Sequence, residues 1–287
     1  MKKLTPSKLF DIFNILLMLG LIIITAYPVY YVVIVSFSDP SAFARHTGLL
    51  LKPLAPFTGQ AYKMVFELPQ ILSGYKNTLF ILFFGILTNM VMTTLGAYFL
   101  SIKGPMHKDA VTFMVIFTMY FSGGMIPTYF NIRDLGLLNS LWSLILPGAI
   151  TTTNMIILRS AFQSIPDSLT EAAKLDGANC FQILWQVFLP LSKATMAVLV
   201  LYYAVGHWNA WFNASIYLTD TTKYPVQLVM RNLLTMAESA VDDAEVAEFI
   251  DLIRYALIVV TTAPIMFVYP FLQKYFTKGV MIGALKG

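Results

Sequence analysis

Charged side chains are scarce in this sequence. Only 12% of the 287 residues are Asp, Glu, Lys or Arg, whereas 57% are hydrophobic and the mean hydropathy is +0.70. This balance lies far from that of a soluble globular domain and indicates an integral membrane protein. No acidic or basic residue lies in the middle of a long apolar stretch, and Asp11 and Arg254 stand at stretch boundaries. Because ion-coupled carriers use buried charges as relays or ion ligands, this scarcity argues for an external energy source.

Several chemical motifs are also missing. The single cysteine, Cys180, excludes an internal disulfide. The sequence has no GxxxxGK(S/T) loop for nucleotide phosphates, no HExxH pair and no set of serine, histidine and carboxylate that predicts hydrolysis. It has no basic and aromatic patch for nucleic acid, no metal-binding cluster and no repeat of fixed period. The chain is therefore expected to bind no cofactor itself and not to be an enzyme.

Six apolar stretches are long enough, or nearly so, to cross about 30 Å of hydrocarbon. The fourth and fifth contain a proline near one end, Pro147 and Pro190. The six stretches cover residues 12–35, 78–102, 110–127, 141–158, 187–206 and 252–276. The sequence thus predicts an all-α membrane protein with six transmembrane helices.

The distribution of charge predicts the orientation of these helices. The first stretch follows Lys2, Lys3 and Lys8, but it is too long for a signal peptide and lacks a small-x-small cleavage site, so we interpret it as a retained anchor. With the amino terminus in the cytoplasm, 11 of the 19 basic residues lie inside and 10 of the 15 acidic residues lie outside. Because positive charge is commoner on the inner side, both termini are expected to be cytoplasmic.

The loop before the fifth stretch has the pattern of two short helices joined at a glycine. Residues 168–171, Ser-Leu-Thr-Glu, fit a capping box, and Gly177 is suited to end the helix in a left-handed turn. Residues 179–182, Asn-Cys-Phe-Gln, fit a second cap that starts a helix running past Pro190 into the membrane. Leu169, Ala172, Ala173 and Asp176 are spaced to form a narrow face that another surface could approach closely. The simpler alternative is a cytoplasmic linker helix of fortuitous composition.

The full spacing of this loop is Glu171-Ala172-Ala173, three residues, Gly177, nine residues, Val187, one residue, then Leu-Pro190. It resembles the EAA loop of the permease subunits of ATP-binding-cassette importers, with Val187 where isoleucine is commoner. Other segments resemble the carbohydrate-uptake branch of that family, in particular permeases for lipo-oligosaccharide, pectin-derived or alginate-type saccharides. These segments are residues 120–127, 135–139, 164–167, 206–211 and 275–287.

The resemblance implies a type I permease fold in the cell membrane, with a core of five helices over 73–271, an anchor helix and outer segment over 1–72, and a cytoplasmic tail over 272–287. It implies that Glu171, Ala172, Ala173, Asp176 and Gly177 form a coupling helix seated on an ATPase. Glu171 would pair with a basic residue there, and Gly177 would form the bend. ATP and magnesium would be bound by the ATPases.

The same resemblance implies partners. They are a second homologous permease, two ATPase subunits expected to be identical, and a solute-binding protein outside the membrane. The outer segment 38–76 and the acidic segment 238–251, predicted to be a short helix, are candidate surfaces for that binding protein. The tail is expected to lie against the ATPases or to contact anionic membrane lipid.

Uncharged polar and aromatic residues within the stretches are candidates for a saccharide path, because sugars offer hydroxyl groups to amides and ring faces to aromatics. The candidates are Asn89, Asn154, Tyr202, Tyr203, Trp208, Asn209 and Trp211. The alternatives are helix packing for the two asparagines, and an interfacial belt or a gate for the two tryptophans. His207 is expected to be a packed interfacial residue. An importer of amino acids, polyamines or phosphate would share the loop, and an ion-coupled carrier remains a more distant alternative.

Overall fold

The computed structural model describes residues 6–104, 106–239 and 253–268. Every regular element in these ranges is helical, which confirms the predicted all-α class. Short 3-10 turns lie at Leu141–Leu144, Leu146–Gly148 and Thr221–Lys223, and a π turn at Leu184–Phe188. The α-helices are α1 (Pro6–Ser36), α2 (Pro40–Ala44), α3 (Gln60–Glu67), α4 (Pro69–Ser101), α5 (Lys108–Tyr120), α6 (Met125–Asp134), α7 (Thr152–Gln163), α8 (Asp167–Leu175), α9 (Cys180–Ile183), α10 (Leu189–Leu191), α11 (Lys193–Asn209), α12 (Phe212–Tyr217), α13 (Val226–Ser239) and α14 (Ile253–Val268).

Two helices are individually long and apolar enough to cross a bilayer, α1 over Phe10–Ser36 and α4. Three further predicted stretches are bent helix pairs, and counting each pair as one span gives up to five spans among the described residues. The sixth stretch begins as α14, but residues 269–276 lie outside the described part, as do the tail at 272–287 and most of the acidic segment, at 240–252. The count of six therefore stays a prediction.

The bends occur where the backbone cannot continue a helix. The predicted third stretch, 110–127, is wrong as a single helix, because α5 ends at Tyr120 and α6 starts at Met125 with its axis turned by 116°. Gly124, with φ of +88°, makes the turn between them. Around Pro190 the backbone widens into the π turn, and the axis then turns by 84° at Ser192 before α11 begins. Proline lacks the amide hydrogen that a regular helix needs at this point.

The described residues divide into two compact units, one within 6–69, 230–239 and 253–263 and the other within 70–229 and 264–268. In the second unit, one apolar cluster joins α4, α7, α9 and α11 and includes Tyr98, Phe162 and Phe188. The ring of Phe188 lies edge-on to Tyr98 at 5.0 Å and to Phe162 at 5.3 Å. We call this the basal cluster. The first unit has its own cluster, in which Ile34, Val35 and Leu50 pack with Tyr31 and Tyr255.

Candidate coupling surface and solute path

Helix α8 forms where the sequence predicts it, but it starts differently. The helix begins at Asp167 with Pro166 at the N-cap position, and no side chain caps its first amides. The capping box predicted at Ser168 is therefore wrong. Proline at 166 holds an extended backbone (φ −58°, ψ 133°) that places the N-cap two residues earlier, so Ser168 already lies inside the first turn. Asp167 instead contributes a negative charge at the positive end of the helix.

The end of α8 follows the prediction in detail. Gly177 has a φ of +80°, its amide donates to the Lys174 carbonyl at 3.0 Å, and the Ala178 amide donates to the Ala173 carbonyl at 2.9 Å. These two bonds define a Schellman motif, which satisfies carbonyls that the helix would otherwise leave open. Among the described residues, no atom would lie within 4 Å of a Cβ at Gly177, so the backbone angle alone requires glycine here.

The second predicted cap is also confirmed. The Asn179 side chain accepts from the Gln182 amide at 2.9 Å, and the Gln182 side chain accepts from the Asn179 amide at 2.8 Å. This reciprocal capping box fixes the start of α9 directly after the glycine turn. We call residues 167–182, two capped helices around Gly177, the elbow.

The elbow presents one side to the chain's own core and leaves the other open. Ala173 and Ala178 pack on the basal cluster. Glu171, Ala172, Asp176 and Gly177 are exposed, and Leu175 is 89% exposed. The four residues predicted to form one narrow face therefore do not share one environment. Ala173 packs against the chain's own core, whereas Ala172 and Asp176 are exposed. Exposed aromatic residues on the following helical segment, Phe181 and Trp185, extend the open side.

An ion pair that the sequence analysis missed ties the elbow to α4. The Lys103 ammonium lies 2.5 Å from Asp167 at the start of α8. The hydrogen bond and charge of Asp167, with a smaller contribution from Glu171, raise the pKa of Lys103. Both side chains are exposed, so the pair adds little to stability but orients α8 relative to the end of α4. The partners are 64 positions apart in the sequence, so no local pattern predicted the pair.

The elbow does not continue straight into the membrane. The segment from Cys180 to Leu191 meets α11 at 84°, so the predicted continuous helix past Pro190 is wrong. Ile183, Leu184 and Phe188 of this segment are buried in the basal cluster, together with Leu199 of α11. Packed side chains as well as the backbone therefore connect the elbow to α4, α7 and α11.

Asn89 on α4 is part of a buried polar network. Its amide nitrogen donates to the Gly148 carbonyl at 2.6 Å, and its side-chain oxygen lies 2.7 Å from Nε2 of His207 on α11. Gly85 lies one turn away on α4, where a Cβ would stand 2.6 Å from the same nitrogen, so glycine makes room for the ring. His207 is packed, as predicted, and Asn89 links α4 to α11 and to the 3-10 turn at Gly148.

Tyr203 connects the same three parts of the chain. Its hydroxyl lies 2.6 Å from that of Thr93 on α4, and it accepts a longer bond, 3.4 Å, from the Thr151 amide before α7. Tyr203 and Thr93 are both buried. Since the donors and acceptors on three helical segments satisfy one another, this layer fixes how α4, α7 and α11 pack.

The other candidates for the path fall into two groups. Asn154 and Trp208 are buried, and the indole nitrogen of Trp208 has no hydrogen-bond partner among the described residues. Tyr202 and Asn209 are exposed, and Trp211 is half-buried beside Phe212. A separate cavity of about 420 Å³ lies between α4, α5 and α7, but its lining is mostly apolar, with Phe99, Met114 and Met155, and it contains none of the predicted path residues.

Comparisons with known proteins agree with these features. The family model for the binding-protein-dependent transport system inner membrane component matches residues 8–282. Protein LplC of Bacillus subtilis is 38% identical over 98% of this chain and 96% of its own length. The polygalacturonan/rhamnogalacturonan transport system permease protein YtcP of the same organism is 38% identical over 98% of this chain and 99% of its own length.

The solved structures include a chain from a bacterial ABC transporter involved in the import of the acidic polysaccharide alginate. It superposes with a TM-score of 0.87 at 32% identity, covering 96% of this chain and all of the other. The family model and the solved structure both match nearly the whole chain, so the similarity is not confined to one segment. This chain belongs to the family of binding-protein-dependent transport system inner membrane components, the membrane permease subunits of such importers.

Proposed function

We propose that this chain, with a second homologous permease, forms the path by which an oligosaccharide enters the cell at the expense of ATP. The observation that carries the proposal is the full-length likeness to two proteins: the chain from the transporter of the acidic polysaccharide alginate, and YtcP, which is named for polygalacturonan and rhamnogalacturonan transport. We therefore expect the solute to be an acidic oligosaccharide of the pectin or alginate type, delivered by a solute-binding protein.

The elbow is the proposed contact with the ATPases. Glu171, Ala172 and Asp176 lie on its exposed side, so a separate subunit can reach them without displacing the chain's own core. Glu171 would pair with a basic residue of the ATPase, and Gly177 would hold the bend between the two helices. ATP and magnesium bind to the two ATPase subunits, and closure of those subunits moves the elbow.

The basal cluster and the buried polar layer explain how that movement would reach the path. Ala173 and Ala178 seat the elbow on the cluster that includes residues of α4, α7 and α11. Asn89 and Tyr203 tie the same helices to one another farther along them. The helices would thus shift as a packed group between inward-facing and outward-facing states, rather than deform one by one. Of the predicted path residues, Tyr202, Asn209 and Trp211 keep exposed surface that a sugar could contact.

The proposed topology has six spans with both termini in the cytoplasm. It places the elbow inside, where the ATPases are. The turn at Asn139 and the 3-10 turn at Thr221–Lys223 then lie outside, where Asn139 accepts from the Asp220 amide at 3.0 Å and the Lys223 ammonium donates to the Asn139 carbonyl at 2.9 Å.

Uptake into vesicles tests the function. The chain, co-expressed with its partner subunits, is reconstituted with the solute-binding protein and supplied with labelled oligogalacturonate, oligoalginate, an amino acid or phosphate. We expect ATP-dependent uptake of an acidic oligosaccharide that survives collapse of ion gradients. Uptake of the amino acid or phosphate instead would contradict the proposed solute, and uptake without ATP would contradict the class.

A variant pair tests the role of the elbow within the same assay. Glu171→Lys should leave insertion and assembly intact and lower the amount of solute moved per ATP hydrolysed. Asp109→Lys makes the same charge change at another exposed position, at the start of α5 and outside the elbow, and should behave like the unchanged protein.

A further inference from the structure

The segment that follows α2 turns back along α1 instead of projecting away from it. The Thr58 amide donates to the Phe37 carbonyl at 3.1 Å, just beyond the end of α1, and the Leu54 amide donates to the Ser38 hydroxyl at 3.1 Å. Leu50 lies farther back along α1, where its backbone bonds to the Tyr27 hydroxyl and its side chain packs with Ile34 and Val35. Residues 46–54 therefore form a dip that descends beside α1 and returns, and we call them the outer dip.

The depth of the outer dip follows from helix geometry. Tyr27 precedes Ser36, the last residue of α1, by nine positions, which is about 14 Å at 1.5 Å per residue. If the hydrocarbon begins after Asp11, about 20 residues of α1 cross it, and its far boundary falls near Tyr31. Leu50 is thus held at the level of the outermost hydrocarbon, where tyrosines commonly stand.

Three backbone groups at the tip of the outer dip bond to tyrosine hydroxyls of α1. The Tyr27 hydroxyl accepts from the Leu50 amide at 3.2 Å and donates to the Leu50 carbonyl at 3.4 Å. The Tyr30 hydroxyl donates to the Leu51 carbonyl at 2.6 Å. In lipid, unpaired backbone groups cost several kcal/mol each, so non-helical backbone is tolerated there only when it is satisfied internally. Leu50 is itself buried, so its two bonds are needed in any surroundings, whereas the bond to the carbonyl of the exposed Leu51 is the one that a lipid surface would require.

The three leucine side chains at the tip of the outer dip alternate between exposed and buried. Leu50 is 2% exposed and packs in the cluster with Ile34 and Val35, whereas Leu49 and Leu51 are 68% and 65% exposed. The exposed basic residues Arg45 and Lys52 flank the leucines. Apolar residues at hydrocarbon level, with cations able to reach the headgroup phosphates, suit a phospholipid surface.

We propose that the outer dip is a lipid anchor, with Leu49 and Leu51 in the acyl-chain region and Arg45 and Lys52 at the phosphates. The leaflet is the one at the carboxyl end of α1, which the proposed orientation makes the outer leaflet. The proposed orientation decides only which leaflet this is, because the test below detects lipid contact in either leaflet. The anchor would fix the first unit in depth while the rest of the transporter changes state.

Fluorescence quenching tests the anchor in the complete transporter reconstituted in vesicles. With Cys180 replaced by serine, an environment-sensitive probe is attached at Leu49→Cys or at Leu51→Cys. The matched control carries the probe at Phe57→Cys, which is also exposed and precedes Thr58, the residue bonded to Phe37 just beyond the end of α1. We expect loss of fluorescence at 49 and 51 with phospholipids brominated near the headgroup and little quenching by aqueous iodide, with the reverse at 57. Iodide quenching at 49 and 51 would overturn the proposal, and so would protection from both quenchers, since a protein partner would then cover the dip.

A second pair of variants tests the tyrosine bonds. Tyr30→Phe removes the hydroxyl bonded to Leu51 and should shift the probe at 51 from bromine quenching toward iodide quenching. Tyr62→Phe also removes a bonded hydroxyl, the one 2.6 Å from Ser36, and should leave the probe unchanged. Equal behaviour of the two variants would refute the anchoring role of Tyr30.

Discussion

Replacing Gly177 by alanine tests the backbone bend of the elbow without changing its packing against the described residues. The added Cβ meets no atom within 4 Å, so the change acts only through the backbone, whose φ is +80°. A non-glycine residue in this region costs about 1–2 kcal/mol. A penalty of that size lowers the ratio of bent to unbent elbow by about 5- to 30-fold. If coupling requires the bend, solute uptake per ATP hydrolysed should fall by several-fold.

Gly136 offers a matched control. It has a φ of +68°, no atom within 4 Å of its Cβ, and the same pair of Schellman bonds, from Gly136 to Arg133 and from Leu137 to Ile132. Gly136→Ala should thus lower thermal stability about as much as Gly177→Ala, yet leave uptake per ATP unchanged. The measurement is uptake and ATP hydrolysis in the same vesicles, with unfolding temperature recorded alongside. Equal coupling in the two variants would refute the reasoning.

Three further predictions concern contacts within the second unit. Gly85→Ala puts a Cβ 2.6 Å from Nε2 of His207 and should lower the unfolding temperature in detergent, whereas adding His207→Ala should restore it; absence of rescue would contradict the contact. Asn89→Leu removes the donor to the Gly148 carbonyl and the partner of the His207 ring, and should cost about 1 kcal/mol of stability, seen as a lower unfolding temperature in the same assay; an unchanged temperature would contradict the network. Lys103→Glu should reduce coupling with little effect on stability, and Asp167→Lys in the same chain should recover part of it; a double variant worse than either single would contradict the pair.

Local patterns in the sequence predicted much of the elbow. The glycine turn at 177 and the box formed by Asn179 and Gln182 depend on residues at most five positions apart, so their chemistry is legible in the sequence. The box at Ser168 was wrong because Pro166 set the helix start earlier. When two neighbouring residues both favour a helix start, as Pro166 and Ser168 do, the sequence alone does not show which of them sets it.

Two kinds of feature could not be predicted from local patterns: the direction of a helix axis, and contacts between residues far apart in the sequence. Hydropathy measures how apolar a stretch is but not where its axis points, so the turns at Gly124 and Ser192 interrupt stretches that the composition joined. The bond between Asn89 and His207 spans 118 residues. The sequence left Asn89 open between packing and solute path, and only its two partners place it in the packing.

Crosslinking from the exposed side of the elbow tests the central claim most directly. Leu175→Cys, in a chain with Cys180 replaced by serine, carries a short crosslinker at a position that is 89% exposed in the isolated chain. In the assembled transporter, we predict a crosslink to the ATP-hydrolysing subunit, identified by mass spectrometry, with a yield that changes when ATP is bound. A residue 175 that stays open to water-soluble reagents and forms no crosslink at any stage of the cycle would contradict the account.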